Sequence, residues 1–332
     1  MTHRHPRCHI DVVLQAALMI VLTLATTCAV HAQEGLTRRI PVLATLMPES
    51  RQEHFREALR ERGYEEGKNI RIEWRHYTQW DERMRDTALA LARSDADLLV
   101  IYGTPPVRAV LEANVSKPII FTAGDPTATG LAASLSKPGM QATGVSAVTT
   151  EISGKLMDLM AQLLPHGRRY AYVRNPSNSN LANRMLSEAQ QAARALNLTL
   201  IPVDARDAAE IAGQVPVIQK AKVDGVIVTS DLVFSADPKR VVSALSRTRL
   251  PVIFQDRGFV EAGGLISYGV DRKEVARRMA NYVDRVLKGA KPSDLPIEQA
   301  SKLELVVNLR TAKNLRIKIP DALLLRADEV LQ

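Results

Sequence analysis

From residue 38 onward, the spacing of apolar residues switches repeatedly between two periods. "RRIPVLATL" opens as an apolar run of strand length. "ESRQEHFREALRERGY" then puts Phe55 and Leu59 on one helix face and stops at Gly63. "NIRIEWRHY" alternates apolar with polar residues, as a half-buried strand does. "DERMRDTALALARSD" returns to the helical period, with Asp81 placed as its cap. "ADLLVIY" reads as a buried strand, "TPPVRAVLEANV" as a helix with proline near its start, and "KPIIF" as another strand. Such alternation predicts an α/β fold, a parallel sheet with helices on both faces.

The order then recurs. "RRYAYV" at 168 echoes "RRIPVL" at 38, an offset of 130. "NSNLANRMLSEAQQAARALNL" and "LTLIPV" supply the matching helix and strand, and "VDGVIV" at 223 echoes "ADLLVI" at 96. "LPVIF" at 250 echoes "KPIIF" at 117, an offset of 133. The repeat is one of architecture, since identity is low. Within it, "EIAGQVPVIQK" puts Pro216 mid-helix, which predicts a kink or a restart.

Two doubly wound lobes place their strand ends where ligands bind, and facing lobes share a cleft. The strand-end loops are Leu46 to Ser50, Gly103 to Pro106, Thr122 to Thr127, Arg174 to Asn178, Ser230 to Asp237 and Gln255 to Gly258. They carry Thr104, Pro105, Asp125, Asn175, Asn178, Asp231 and Asp256. The three aspartates suit a ligand clamp, or an acid and base pair across the cleft. The same residues also serve as helix caps and turn residues. Tyr102, Phe121, Phe234, Phe254 and Tyr268 are cleft candidates at or near strand ends, where core packing is their commoner use. Tyr77 and Trp80 follow the second strand and are better placed for exposure.

The first 32 residues read differently. Arg4 and Arg7 precede an apolar stretch from Ala16 to Ala25, and Val30 and Ala32 are small residues at the −3 and −1 positions of a cleavage site before Gln33. This is the layout of a secretory signal peptide over residues 1–32. An uncleaved anchor helix from Val12 to Val30 is the alternative. A lipid anchor on Cys28 is another, although Thr27 stands where a small residue is usual. Cleavage removes Cys8 and Cys28, both of the cysteines, together with His3, His5, His9 and His31. No disulfide, thiol nucleophile or cysteine metal site is then expected. Losing Arg4, Arg7 and Asp11 takes the net charge from +8 to +7. The excess is spread along the chain, so no nucleic-acid partner is expected.

Motifs of chemistry are missing. There is no G-x-G-x-x-G after a strand, no phosphate-binding G-x-x-x-x-G-K-[ST] and no G-x-S-x-G elbow. His54, His76 and His166 have no zinc-ligand spacing.

"FREALRERGYEEGKNIRIEWR", "GDPTATGLAASLSKPG", "FVEAGGLISYGVD", "VDRVLKGAKPSDLPIEQ" and "LELVVNLRTAKNLRIKIPDALLLRADEV" resemble the substrate-binding proteins of ABC transporters. The similarity is to the group whose characterised members bind aromatic amino acids such as tryptophan, and it spans roughly residues 38 to 331. It implies the type I periplasmic-binding fold, with two doubly wound parallel-sheet lobes on a three-segment hinge. The implied lobes are 38–145 plus 269–296, and 146–268 plus 297–332. The implied protein is a periplasmic monomer with no cofactor. It would close on an amino acid or related small carboxylate and deliver it to an ABC permease. A sensory component for a membrane receptor, or an enzyme using the cleft carboxylates, is the alternative. Asp125, in "GDPTATG", is the expected clamp for an α-ammonium, with Thr104, Ser146 and Asn178 as donors to the carboxylate. Asp231 or Asp256 is the fallback clamp, and Tyr268 is a further candidate contact. Two loops depart from the family pattern, "LMPES" after the first strand and "SDLVFSADP" in the second lobe.

Overall fold

The computed structural model describes residues 38–43, 49–76, 81–114, 116–148 and 152–332. The signal-peptide segment, most of the "LMPES" loop, Tyr77 and Trp80 lie outside the described residues.

The first sheet contains β1 (Arg38–Leu43), β2 (Ile70–Arg75), β3 (Leu99–Tyr102), β4 (Ile119–Gly124), β5 (Ala142–Val148) and β11 (Glu298–Gln299). Its spatial order is β11-β5-β4-β3-β1-β2, and every pairing is parallel. Among the described residues this lobe has the helices α1 (Glu49–Arg60), α2 (Glu82–Ala92), α3 (Thr104–Glu112) and α9 (Arg272–Leu287). Parallel strands covered on both faces must be apolar throughout, and β3 shows why. Leu98, Val100 and Tyr102 join Phe55, Leu59, Met279 and Val283 on one face. Leu99 and Ile101 join Ala88, Leu91, Val107 and Val110 on the other.

The second lobe repeats this plan. It runs β6 (Arg169–Arg174), β7 (Thr199–Asp204), β8 (Gly225–Val228), β9 (Val252–Phe254) and β10 (Ile266–Val270). β12 (Leu303–Asn308) and β13 (Glu329–Leu331) extend it to the order β13-β12-β10-β9-β8-β6-β7. Only β12 against β10 is antiparallel among the described pairings. The helices here are α4 (Ile152–Leu163), α5 (Ser179–Ala195), α6 (Ala208–Lys220), α7 (Pro238–Ser246) and α8 (Arg257–Glu261), then α10 (Leu309–Leu315) and α11 (Asp321–Leu324). In each sheet the second strand lies outside the first and the third lies inside it, so the chain reverses direction beside the first strand. That reversal opens a crevice at the strands' carboxyl ends.

The chain changes sheets after Val148, after Val270, and between Gln299 and Leu303. Each change comes a few residues later than the boundaries expected at 145, 268 and 296. The cause is strand pairing. Val148 is still in register with Gly124, Val270 with Leu303, and Gln299 with Ser146. The last two crossings are tied together. Lys302 Nζ lies 2.6 Å from Asp271 Oδ2, and the Lys302 N–H donates to Glu274 at 2.9 Å. Asp271 also caps α9, accepting the N–H groups of Lys273 and Glu274.

Pro216 does not break its helix. α6 runs unbroken from Ala208 to Lys220, with Pro216 on the exposed side. The Ala212 carbonyl that loses its partner is at a half-buried position within reach of water. Ile211, Val215 and Ile218 on the opposite face are buried and hold the helix down.

Candidate ligand-binding site

A cavity of about 140 Å³ lies between the strand ends of the two lobes. The first lobe contributes the turn after β3, the end of β4, and Val275 and Ala276 on α9. The second contributes the loops after β6, β8 and β9. Three contacts show the lobes meeting around it. Leu181 of α5 is packed so closely on Gly124 that a Cβ at 124 would lie 2.4 Å from its Cδ2. Leu232 packs on the first lobe's core, and Met84 of α2 packs on the second lobe's.

Asp231 is the charged centre of this cavity. Its Oδ1 accepts the Val233 N–H at 3.0 Å, and the side chains of Asn175 and Asn178 hydrogen-bond to it. Burial pushes its carboxyl above the ordinary aspartate range, and these three hydrogen bonds pull it partly back. Both asparagines are free to serve in this way. Asn175 uses its carbonyl to accept the Ser177 N–H at 2.9 Å, which leaves its NH₂. Asn178, at the cap position of α5, makes no side-chain capping bond.

Asp256 is committed elsewhere. It pairs with Arg272 at the start of α9, accepts from the Ser235 hydroxyl at 3.2 Å, and caps α8 through the Gly258 N–H at 2.9 Å. The pair brings a second-lobe carboxylate and a first-lobe guanidinium together at one wall, with little net charge. Beside Asp256, the Gln255 carboxamide oxygen accepts the Ser230 N–H.

Much of the remaining lining is apolar. Tyr102 is 6% exposed and stands edge-on to Phe55, with ring centroids 6.4 Å apart. Pro105, Val275, Ala276 and Leu181 complete it. Thr104 lines the cavity, but its hydroxyl accepts the Gly124 N–H at 3.2 Å.

Of the nine site candidates, six therefore meet here: Thr104, Pro105, Asn175, Asn178, Asp231 and Asp256, and Tyr102 joins them from the strand-end aromatics. Three do not. Asp125, the expected clamp, has φ +38° and turns over its own loop, accepting from the Thr127 hydroxyl at 3.2 Å and the Ala128 N–H at 3.1 Å. It is a turn cap, a role Asp fills because its short side chain tolerates the left-handed region. Ser146 is buried away from the cavity, and its strand neighbour Ala147 lines it instead. Strand side chains alternate, so a one-residue error changes faces. Tyr268 packs on the second lobe's core, while Gly269 and Val270 reach the cavity.

Leu181, Gln255 and Arg272 were not singled out. Gln255 had a signal, its place directly after the "VIF" strand. Leu181 and Arg272 had none, because both reach the cavity only through the meeting of the lobes. No described histidine lines the cavity, and among the described residues no group of His, Cys, Asp or Glu is arranged to hold a metal. No helix among the described residues is long and apolar enough to cross a membrane.

Known proteins are similar in sequence and fold. A tyrosine-binding protein of Clostridioides difficile (strain R20291) is 25% identical over 262 residues, covering 79% of this chain and 75% of that protein. The crystal structure of an ABC domain in complex with L-Trp from Streptococcus pneumonia superposes with a TM-score of 0.80 at 26% identity, over 89% of this chain and all of the other. A conserved domain protein from Vibrio cholerae gives 0.79 at 26% identity, over 89% and 99% of the two chains. The family described as ABC transporter substrate binding protein matches residues 40–331. The chain belongs to that family.

Proposed function

We propose that the protein captures a free amino acid with an apolar or aromatic side chain between its lobes and delivers it to an ABC permease. Asp231 carries this reading. It is a carboxylate in an inter-lobe cavity, held by two asparagines and a backbone N–H, with no cationic partner among its described contacts. An ammonium group is the natural complement. The apolar wall of Tyr102, Pro105, Val275 and Ala276 suits the ligand's side chain. The tyrosine-binding relative and the L-Trp complex support an aromatic amino acid.

The family and the sequence support the remaining parts of the reading. The protein works outside the cytoplasm as a binding component, not as an enzyme and without a cofactor. Cleavage before Gln33 releases it into the periplasm as a monomer. The lobes move as bodies of about 38–148 plus 271–299, and 152–270 plus 303–332, hinged at the three crossings.

Calorimetric titration with L-tryptophan and L-tyrosine tests the clamp. Asp231→Ala is expected to weaken binding about 30-fold or more, because one partner of a desolvated pair is lost. Asp231→Asn should lose nearly as much, since the amide keeps the shape and drops the charge. Asp125→Ala should leave affinity unchanged. Full affinity in both Asp231 variants sinks the reading.

A further inference from the structure

Among the described residues, the cavity wall holds an amide donor that the protein leaves unanswered. Gln255 is 5% exposed and lines the cavity, yet its Nε2 has no hydrogen-bond partner among the described residues. Its orientation is not free. The carboxamide oxygen accepts the Ser230 N–H, so the NH₂ is left on the other side. The backbone is held as well. The Gln255 N–H donates to the Val228 carbonyl at 3.2 Å, and Gly269 packs so tightly that a Cβ there would lie 1.9 Å from the Gln255 carbonyl oxygen. A buried donor in a fixed position calls for an acceptor once water is excluded.

The neighbours indicate which acceptor. Ser230, which holds the amide, directly precedes Asp231. The amide is thus tied to the residue before Asp231, and both side chains line the cavity from the ends of the paired strands β8 and β9. An α-amino acid carries its ammonium and its carboxylate on one carbon. With the ammonium on Asp231, a carboxylate oxygen falls near the Gln255 amide. Arg272 lines the same cavity, with its charge balanced by Asp256.

We propose that Gln255 reads the ligand's α-carboxylate, and that the site thereby selects α-amino acids over amines lacking that group. The inference rests on Asp231 as the ammonium clamp. Asn175, Asp231 and Gln255 all belong to the second lobe, so the head group is recognised there. The first lobe, with Tyr102 and Pro105, closes over the side chain.

The test compares each of the twenty L-amino acids that binds with its decarboxylated amine, led by L-tryptophan against tryptamine and L-tyrosine against tyramine. Wild-type protein is expected to prefer the amino acid about 30-fold or more. Gln255→Glu keeps an oxygen for Ser230 and replaces the donor with an acceptor. At pH 8 it should lose about 100-fold for the amino acid while holding or gaining affinity for the amine. Gln255→Met removes the donor without adding charge and should lose about tenfold for the amino acid alone. Melting curves of the ligand-free variants check that the fold is intact. Variants that weaken amino acid and amine alike, or neither, overturn the role of Gln255 and leave the clamp standing. A wild-type protein that binds none of the twenty overturns the amino-acid reading and this inference together.

Discussion

The carboxyl of Asp231 changes its proton affinity when a cation arrives, and that sets a pH dependence. In the ligand-free cavity, burial raises it above the ordinary aspartate range. A bound ammonium lowers it again. The complex therefore holds fewer protons than the free protein, and affinity rises with pH through the raised ligand-free value. On acidification, binding should begin to fail at a higher pH than an ordinary aspartate would give. The ligand-free closed form has the opposite slope. It is favoured with Asp231 protonated, and that advantage is lost as pH rises through the same raised value. Titrations over a pH series check both signs, and Asp231→Asn should flatten the binding profile. The sequence did not distinguish this residue from Asp125. "GDPT" and "SDLV" both place an aspartate just past a buried strand. The difference is a backbone angle. At φ +38°, Asp125 points back over its own turn, and no residue pattern in that loop announces it.

Elements were far easier to read than site residues, because the hydrophobic period reports packing directly. "DERMRDTALALARSD" became α2 with Asp81 bonded to the Met84 N–H at 3.0 Å, as its spacing implied. "LPVIF" became β9, with Val252, Ile253 and Phe254 all buried. α6 is the exception, since a local rule was overruled by the buried face on the other side of Pro216. That conflict has a measurable cost. Pro216→Ala restores a backbone donor at an exposed position and should stabilise the protein by about 1–2 kcal/mol, after allowing for the looser unfolded chain. Chemical denaturation measures it. An unchanged or lower stability would mean the helix has already relaxed around the ring.

On the scale of the whole molecule, closure depends on shape at one point as well as on ligand chemistry. Gly124 ends a first-lobe strand and receives Leu181 from the second lobe, with Leu181 5% exposed. Gly124→Val fills that notch without touching Asp231 or Gln255. It should prop the lobes apart and weaken ligand binding about tenfold to a hundredfold, an energy of about 1.4–2.8 kcal/mol. Leu181→Ala in the same chain should recover most of the loss relative to Leu181→Ala alone. Calorimetry with small-angle scattering reads both effects, and the absence of rescue would place the damage inside the first lobe. This contact was invisible in the sequence, since each partner has an ordinary local role and they meet only across the cleft.

The interleaved connectivity also governs when the protein can fold. The Tyr64 hydroxyl donates to Asp284, a bond 3.0 Å long between residues 220 positions apart. α9 packs on α1, and the edge strand β11 arrives later still. The first lobe thus begins near the amino end but is completed only when residues near 299 are present. The second lobe waits for β12 and β13. Long-range closure of this kind is slow to nucleate. The face of the first lobe under α9 and the face of the second lobe under β12 therefore close late in synthesis, while the face built from Ala171 to Phe259 has all its residues earlier.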